Sequence, residues 1–332
     1  MRVALRLLLL IGLGVSILVL GLPLYLAGLG SGYRLPASRV PVAAGDLPIR
    51  VYLDREKRVE VMPLETYVKG VVAAEMPASF HLEALKAQAV VARTYAVRRM
   101  RIFGGSGCPQ HPAADACTDP ATGQAYATSE ELRQRWGVVS YVVNWERIES
   151  AVEATRGLIL TFDGEPIDAV YHSTSGGQTA AAQEVWGEAV PYLRSVPSPH
   201  EERSPKLQQT LRLTLSELAA KLDLPADLVR QHARAGRLIE ASRSESGRVR
   251  SAAIAGRSFE VAELRQRLAL NSNWFTWRLD GDTLVFSVRG YGHGVGMSQY
   301  GADGMARNGA TYADILIHYY PGTRLRPIFL DR

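Results

Sequence analysis

The spacing of apolar residues predicts two consecutive helices near the start of the folded part of the chain. The first helix begins at Pro63 and ends before Pro77. Its apolar face recurs with the helical period and comprises Leu64, Val68, Val71, Val72 and Glu75. Ser79 is the predicted N-cap of the second helix, which continues to about Arg101. Small residues along one face of this helix predict close packing against a neighbouring element.

Alternating apolar and polar residues predict several strands. We expect strands at residues 47–53, 158–162 and 167–171, and a hairpin at residues 274–289. Shorter helices are predicted at residues 130–136 and 145–155, and a last helix is capped by Thr311 with Asp314.

The segment from about residue 200 to 262 is more strongly charged than its surroundings. Within it, Thr214 and Glu217 form a capping box that marks the start of a helix. We therefore predict an α+β fold, a single mixed domain with helices packed on a twisted sheet around a cleft. This domain spans residues 46–330, and residues 200–262 form a small inserted subdomain within it.

Residues 1–29 predict a membrane anchor. Arg2 and Arg6 precede an uncharged stretch, and the apolar residues from Leu7 to Leu29 suffice to span a bilayer as a helix. The arginines place the N-terminus in the cytoplasm and the rest of the chain outside it. A cleaved signal peptide is the alternative, and it also leaves the body of the protein outside the membrane. Residues 30–45, rich in Gly, Pro, Ser and Ala, are the predicted linker.

Charge and motif content narrow the functional classes. The 332 residues carry a formal net charge of +5, and the pI is about 9.2. This mild excess is spread along the chain, so it suits an anionic envelope polymer or a membrane surface and argues against nucleic-acid binding. The sequence contains no zinc-finger spacing, no P-loop and no dinucleotide-binding glycine motif after a strand.

Glu75 is the sharpest candidate for chemistry. It lies on the apolar face one turn after Val71, at the end of the helix where the macrodipole is negative. Burial and the dipole both disfavour the ionised carboxylate, so we expect a raised pKa. A carboxyl group that keeps its proton near neutral pH is what a general acid for glycosidic cleavage requires. The alternative is a glutamate paired with a cation in the core.

Arg93 is the candidate partner for that alternative, because it lies on the small-residue face of the second helix. A guanidinium group there must meet a carboxylate or bind an anionic or hydroxyl-rich ligand. Both a structural ion pair with Glu65 or Glu75 and a role in the site remain open from the residues alone.

Two glycine-rich segments carry further polar side chains. Hydroxyl and amide groups on glycine turns suit hydrogen bonding to sugar hydroxyls. A Ser-His hydrolase is the rival interpretation, but the chain lacks a Gly-x-Ser-x-Gly nucleophile elbow. The candidate substrate-binding residues are His172, Ser173 and Ser175 in the first segment and His293, Ser298 and Gln299 in the second.

The two cysteines lie in one loop. Cys108 and Cys117 can form a disulfide, which an extracytoplasmic location permits. Alternatively, Cys108, His111 and Cys117 are candidate zinc ligands together with an aspartate of the same loop. The irregular spacing and the presence of only two thiolates favour the disulfide. We expect that no cofactor is required, with zinc as the open alternative.

Ordered sequence blocks resemble the SpoIID/LytB family, which comprises stage II sporulation protein D and amidase-enhancer proteins. The resemblance covers nearly all of residues 51–323 apart from the segment near 200–262. The blocks are residues 67–77 with 84–95, residues 171–177, residues 191–195 and residues 292–302.

The resemblance implies a lytic transglycosylase that cleaves peptidoglycan glycan strands, preferentially those without stem peptides, and leaves 1,6-anhydro ends. It implies that Glu75 is the catalytic acid and base, and it adds Arg93, Tyr192 and Arg194 to the catalytic set. Members that bind zinc use a histidine and two cysteines. Here Gly123 stands where the second of these cysteines is expected, and this departure favours the disulfide.

Two other classes remain as alternatives: a non-catalytic amidase enhancer and a glycan-binding wall module. The expected partners are peptidoglycan strands, the membrane through the N-terminal helix, and an amidase. Nucleic acid is not an expected partner.

Overall fold

The computed structural model describes residues 39–41 and 47–331, and the predicted anchor at residues 7–29 lies outside them. Within this described part, no helix is both long and apolar enough to cross a bilayer. A small unit contains the antiparallel pair of Arg39–Pro41 (β1) with Phe329–Asp331 (β16). The larger unit ends at Ile328.

The larger unit mixes helices and strands, which confirms the predicted α+β class. Its helices are α1 (Leu64–Glu75), α2 (Leu82–Arg99), α3 (Ser129–Trp136), α4 (Val138–Ala154), α5 (Ala182–Trp186), α6 (Leu215–Leu222), α7 (Ala226–Arg234), α8 (Val261–Leu268), α9 (Gln299–Arg307) and α10 (Tyr312–Tyr319).

The strands of this unit are short and are distributed over several small sheets. They are β2 (Pro48–Leu53), β3 (Arg58–Pro63), β4 (Ala116–Cys117), β5 (Leu158–Phe162), β6 (Glu165–Pro166), β7 (Tyr171–His172), β8 (Gln208–Thr214), β9 (Ile239–Arg243), β10 (Val249–Ile254), β11 (Arg257–Glu260), β12 (Phe275–Asp280), β13 (Thr283–Arg289), β14 (Met297–Ser298) and β15 (Arg324–Pro327).

The first two helices lie close to where the sequence predicts them. Helix α1 follows Pro63 and ends at Glu75, because Met76 takes an extended conformation before Pro77. Helix α2 starts two residues later than predicted. Its N-cap is His81, whose ring accepts a hydrogen bond from the backbone of Glu83, and not Ser79. The cap differs because an imidazole nitrogen satisfies the free backbone donor here in place of a hydroxyl.

Helix α2 is the centre of the main core. Its alanine-rich surface packs against α1, α4, α9, α10 and strand β5. Because small side chains lie on several faces of α2, neighbouring elements can pack closely against it from several directions. The sheet β3–β2–β4 and the sheet β15–β5–β6 flank these helices.

The predicted strand at residues 167–171 does not exist as one element. The chain instead forms β6 and then β7, and β7 pairs in parallel with β14. This two-residue ladder joins Tyr171 to Met297 and His172 to Ser298. The two glycine-rich segments of the sequence are therefore neighbours in space.

A second hydrophobic core lies in the region of the predicted insertion, and it is larger than predicted. Strand β13 pairs with β12 on one side and with β8 on the other. Phe275 and Phe286 of this hairpin pack in the same core as helices α6 and α8. The hairpin at residues 274–289 therefore belongs with the insertion and not with the main core. Strand β8, which pairs with β13, precedes it by about seventy to eighty residues in sequence, a pairing that local periodicity does not reveal.

Candidate functional site

Glu75 ends helix α1 with a half-buried side chain. Its Oε1 accepts a hydrogen bond of 2.7 Å from the backbone N–H of Ala125. The hydroxyl of Tyr171 donates a second hydrogen bond to the same carboxyl group. Both donors come from segments remote in sequence, so the fold assembles the surroundings of this carboxyl.

The electrostatic balance at Glu75 favours its protonated form. Burial raises the pKa of the Glu75 carboxyl above the ordinary value, and the donors Ala125 and Tyr171 offset part of that rise. In the part of the chain that the structure describes, no lysine or arginine forms an ion pair with Glu75. The carboxyl is therefore polar, hydrogen-bonded and without a compensating cation, which is the arrangement expected of a general acid.

Tyr171 and Gln124 form the wall beside this carboxyl. The Nε2 group of Gln124 donates to the Tyr171 hydroxyl at 3.1 Å, which leaves the phenol proton directed at Glu75. Burial and the nearby Glu75 carboxylate both raise the pKa of Tyr171, so it stays a hydrogen-bond donor at neutral pH. Sequence reasoning gave no role to Tyr171, Gln124 or Ala125. The available signal was that Tyr171 opens one of the family-like blocks.

An aromatic and cationic surface continues from Glu75. Burial and the charge of Glu75 raise the pKa of Tyr95, while Arg99 lowers it. The guanidinium of Arg99 lies 3.3 Å from the centre of the Tyr95 ring and forms an ion pair of 3.1 Å with Asp168. Arg98, Arg99 and Asp168 line an open cavity of about 400 Å³ together with Phe103, Gly104, Gly105, Ser106, Glu165 and Pro166.

Arg93 lies in the core and not in this site. Its side chain is 0% exposed and makes a bidentate ion pair with Glu65, at 2.9 Å from Nε to Oε1 and 2.6 Å from Nη2 to Oε2. The remaining donor Nη1 reaches the carbonyl of Leu158 at 3.1 Å. A fully enclosed guanidinium cannot contact a glycan strand, so its assignment to the catalytic set is corrected to an ion pair within the core.

Gln299 supports the end of helix α1. Its Nε2 donates to the backbone carbonyl of Glu75 at 3.1 Å and lies 3.4 Å from Oε1 of Gln88. Gln299 is only 6% exposed, so its observed contacts are internal, and its predicted contact with substrate stays a prediction. Ser298, 0% exposed, caps helix α9 and likewise has only internal partners.

The two histidines of the glycine-rich segments hold the backbone around Tyr171. His293 is half-buried, donates from Nε2 to the Tyr171 carbonyl at 2.9 Å and accepts from the Val295 N–H at Nδ1. His172 is buried, and its Nδ1 donates to the Val295 carbonyl at 3.1 Å. Burial lowers the pKa of His293 to about 4 and that of His172 well below its usual range. Both rings are neutral at neutral pH.

Glu201 organises the glycine turn after β7, and sequence reasoning missed it. Its buried carboxylate accepts hydrogen bonds from three successive backbone N–H groups, those of Ser175, Gly176 and Gly177, at 2.7 to 3.0 Å. The hydroxyls of two serines, Ser198 and Ser298, donate to the same carboxylate. Ser175 is thus enclosed within this nest, so its assignment as a substrate contact is corrected to a structural role.

Ser173 differs from these neighbours because it stays half-buried. Its hydroxyl lies 3.3 Å from that of Thr174, and its carbonyl accepts from the backbone N–H of Tyr300 at 3.0 Å. Among the predicted binding residues of these two segments, Ser173 and His293 keep partial exposure. The prediction of a sugar contact at these two positions therefore stands as a prediction.

Tyr192 and Arg194 have different surroundings. Tyr192 is 8% exposed, packs on Phe162, and its hydroxyl accepts from the Asp168 N–H at 3.1 Å. It therefore positions Asp168, the partner of Arg99. Arg194 is exposed, and its Nε donates to the carbonyl of Pro191 at 2.7 Å. Its charge is available to a ligand, while the buried Tyr192 acts through Asp168.

The two cysteines are joined. Cys108 and Cys117 form a disulfide with a Cα–Cα distance of 5.3 Å. The ring of His111 stacks on Tyr52 at 5.0 Å, and its Nδ1 accepts from the Ala113 N–H. The zinc set of Cys108, His111 and Cys117 does not fit this arrangement, because sulphurs bonded to each other offer no thiolates. A Cβ at Gly123 would lie 2.2 Å from the Cys117 carbonyl, so the backbone is tightly packed there.

This cysteine loop also shapes the site. Strand β4, which contains Cys117, pairs in parallel with β2, and the chain after it returns to helix α1. There Gln124 and Ala125 reach Tyr171 and Glu75. The disulfide therefore lies just before the segment that supplies these two contacts, and the Gln124 N–H donates to the Cys117 carbonyl at 3.4 Å.

The fold and site define an α+β protein with a protonation-prone carboxyl at a helix end, enclosed by tyrosine and amide groups. The family model for SpoIID, described as stage II sporulation protein, matches residues 52–162, which include α1, α2, the disulfide and Glu75.

Curated relatives match most of the chain. Stage II sporulation protein D of Bacillus subtilis (strain 168) is 41% identical over 292 residues, which are 87% of this chain and 82% of the relative. The protein of the same name from Bacillus amyloliquefaciens is 40% identical over 274 residues, 82% of this chain and 77% of the relative. An amidase enhancer of B. subtilis is 31% identical over 310 residues, 78% of this chain and 40% of the relative. The chain belongs to the SpoIID family.

Proposed function

We propose that this protein is a lytic transglycosylase that cleaves peptidoglycan glycan strands, with Glu75 as both general acid and general base. In this proposal it works outside the cytoplasmic membrane, held there by the predicted N-terminal anchor, on strands that lack stem peptides. The proposed reaction requires no metal or organic cofactor. The observation that carries the proposal is the raised pKa of an unpaired, hydrogen-bonded carboxyl at the end of α1.

The chemistry needs only one carboxyl group. Protonated Glu75 gives its proton to the oxygen that bridges N-acetylmuramic acid and N-acetylglucosamine, and the bond from that oxygen to the muramoyl C1 breaks. The C6 hydroxyl of the same muramoyl residue then attacks C1, and its proton passes to the Glu75 carboxylate. The product is a 1,6-anhydro end, and the acid is regenerated without consumption of water. A second carboxylate, which hydrolytic glycosidases use to activate water or attack C1, is not required.

The surrounding groups suit the two protonation states of Glu75 in turn. Hydrogen bonds from the Ala125 N–H and the Tyr171 hydroxyl stabilise the carboxylate once the proton has left. Burial favours the return of the proton. Gln299 fixes the backbone carbonyl of Glu75, so the carboxyl keeps its position through the cycle.

The remaining proposed substrate contacts are the exposed or half-buried groups. Arg99 and the neighbouring cavity extend the polar surface beyond Tyr95 and suit a sugar strand with anionic substituents. Arg194 supplies an exposed positive charge, and Ser173 and His293 line the segment beside Tyr171.

Mass spectrometry of glycan fragments tests the proposal. The protein is incubated with peptide-free glycan strands and with intact peptidoglycan, in parallel with Glu75→Gln, which keeps the shape of the side chain but cannot transfer a proton. We expect 1,6-anhydro fragments from the wild-type protein and a loss of at least about 100-fold in the variant, the usual size of a general-acid contribution. Glu149→Gln, at an exposed ion pair with Lys69, is the matched control and should retain activity. Equal activity of Glu75→Gln and wild type contradicts the proposal.

The similarity to the amidase enhancer supports a second candidate, a non-catalytic protein that stimulates a wall amidase. The chain matches only 40% of that relative's length, so the comparison bears on the shared part alone. In this case Glu75→Gln leaves amidase stimulation unchanged, and neither protein yields anhydro ends. A third alternative, a wall-binding module, retains glycan affinity without cleavage or stimulation.

A further inference from the structure

One face of helix α4 exposes an unusual number of apolar side chains. Val138, Val139, Val142 and Val143 are 74%, 82%, 61% and 56% exposed. Their spacing of one, four and five residues places them on the same side of the helix. We call these four residues the valine face. A contiguous apolar patch on a soluble surface marks a site of interaction.

The valine face lies at a protruding corner and not in a groove. Gly137 connects α3 to α4, and a Cβ at this glycine would meet no atom within 4 Å. Behind the corner, Trp136, Tyr141 and Trp145 form a row of rings with centres 6.4 and 5.8 Å apart. All three are half-buried. Tryptophan and tyrosine with one polar edge are the side chains favoured at the interface between a bilayer and water.

The charged residues between Leu132 and Trp145 are basic. Arg133 and Arg135 of helix α3 are exposed, and no aspartate or glutamate occurs between Leu132 and Trp145. The Arg133 guanidinium lies 4.8 Å from the centre of the Tyr141 ring, so cation and aromatic row form one surface. Acidic residues flank this stretch: Glu131 precedes Leu132, Glu146 follows Trp145, and Glu130 lies 4.0 Å from Arg133. Beyond Trp145, helix α4 becomes acidic and pairs with Lys69.

The predicted topology brings this corner within reach of a membrane. The predicted linker at residues 30–45 would span at most about 55 Å if fully extended, and the pairing of Arg39–Pro41 within it as strand β1 shortens this reach. A body tethered at Leu29 by such a linker remains near the bilayer surface. A protruding apolar corner with a cationic and aromatic rim therefore has a lipid surface available at high local concentration.

We propose that the valine face, with Arg133 and Arg135, docks onto an anionic phospholipid surface as a second attachment beside the predicted N-terminal anchor. The valines enter the boundary between head groups and acyl chains, and the aromatic row lies at the level of the head groups. The arginines bind lipid phosphates. The convex shape and the positive rim favour lipid over a second protein, for which a complementary groove would be expected. Docking at two points fixes the orientation of the body relative to the membrane.

Fluorescence of the full chain in vesicles tests this proposal. An environment-sensitive fluorophore is attached at Val142→Cys, or at Ile317→Cys as the matched control, because Ile317 is an exposed apolar residue on α10. The native cysteines are joined and buried, so they do not react without a reductant. Vesicles contain phosphatidylcholine alone or with phosphatidylglycerol. We expect a blue shift and quenching by nitroxide-labelled lipid at position 142 only, and mainly with phosphatidylglycerol.

Charge removal supplies the second arm. Arg133→Gln with Arg135→Gln should lower the ratio of docked to undocked protein roughly 30-fold, since each basic group near an anionic surface contributes about 1 kcal/mol. A label at 142 that stays in a water-like environment in phosphatidylglycerol vesicles overturns the proposal. A blue shift that depends on protein concentration and ignores the lipid quencher also overturns it, and identifies a second copy of the chain as the occupant.

Discussion

The two ends of helix α1 carry one glutamate each, and their surroundings are opposite. Glu65, in the first turn, is 3% exposed and forms an ion pair with Nε and Nη2 of the buried Arg93. Glu75, the last residue, is half-buried and has an N–H and a hydroxyl as partners but no cation. The helix dipole stabilises a negative charge at the first position and disfavours it at the second.

The comparison separates a structural carboxylate from one suited to chemistry. Glu65 is enclosed, and its two carboxylate oxygens are held by the guanidinium of Arg93. At Glu75, burial opposes the charge while two neutral donors partly compensate, so both protonation states are accessible. The family-like sequence blocks contain both Arg93 and Glu75, and of the two only Glu75 keeps partial exposure.

The largest expected effect is a loss of stability when Glu65, at the start of α1, is replaced. Glu65→Gln leaves the buried Arg93 guanidinium without its counter-charge, and we expect a loss of about 3 to 5 kcal/mol in the free energy of unfolding. Chemical denaturation measures this loss. Glu153→Gln, on the exposed surface beside Lys69 and Arg156, is the control and should cost less than about 1 kcal/mol. Equal losses in the two variants would remove the distinction drawn here.

The second effect concerns the disulfide loop that precedes Ala125, the backbone donor to Glu75. Replacement of Cys108 and Cys117 by alanine opens a disulfide that joins residues nine positions apart. We expect a loss of roughly 2 to 3 kcal/mol from the entropy of the unfolded loop. Faster hydrogen exchange at the Ala125 amide should accompany it, because this loop positions that donor. Unchanged exchange at Ala125 would show that the loop holds its place without the disulfide.

The third effect is a dependence of stability on pH that comes from Glu75. The folded-state pKa of Glu75 lies above its unfolded value, so the carboxyl favours folding at low pH and loses this contribution as the pH rises through the folded pKa. Glu75→Gln should therefore gain stability relative to wild type between acidic and neutral pH. Urea unfolding at several pH values measures the difference. A variant that becomes relatively less stable as the pH rises would mean that Glu75 is a stabilised carboxylate.

The smallest expected effect is a change in the pKa of Glu75. Tyr171→Phe removes a donor that lowers the pKa of this carboxyl, so the pKa should rise further. On the proposed mechanism, the alkaline limb of the pH profile of kcat/KM then moves to higher pH. Tyr95→Phe is the control, since Tyr95 is near Glu75 but is not one of its hydrogen-bond donors. A shift in the opposite direction would assign the Tyr171 hydroxyl another role.

Local sequence patterns were sufficient to predict where helix α1 begins and ends and which of its faces is buried. Prolines at 63 and 77 bound helix α1, and the 3.6-residue period placed Glu75 on its inner side. The residue spacing placed Arg93 on the small-residue face of α2 but left open whether Glu65 or Glu75 pairs with it. That choice depends on how α1 and α2 pack, which periodicity along one helix does not specify.

The rest of the site depends on contacts between distant segments. Ala125 is fifty residues from Glu75, and Gln299 is more than two hundred. Glu201 lies in a segment without a recognisable motif, and only the fold places it under the glycine turn after β7. Polar residues on glycine turns were assigned to substrate binding because exposed and buried hydroxyls have the same sequence signature. Several of them turned out to satisfy the backbone instead.

The most direct test is the ionisation of Glu75 itself. Infrared difference spectra of the carboxyl band are recorded during a pH titration of protein labelled with ¹³C-glutamate, and Glu75→Gln identifies the band that belongs to this residue. We predict that Glu75 loses its proton at a pH clearly above the value of about 4.3 for an unperturbed glutamate. A midpoint at or below that value would contradict the account, because Glu75 would then be a stabilised carboxylate and not a general acid.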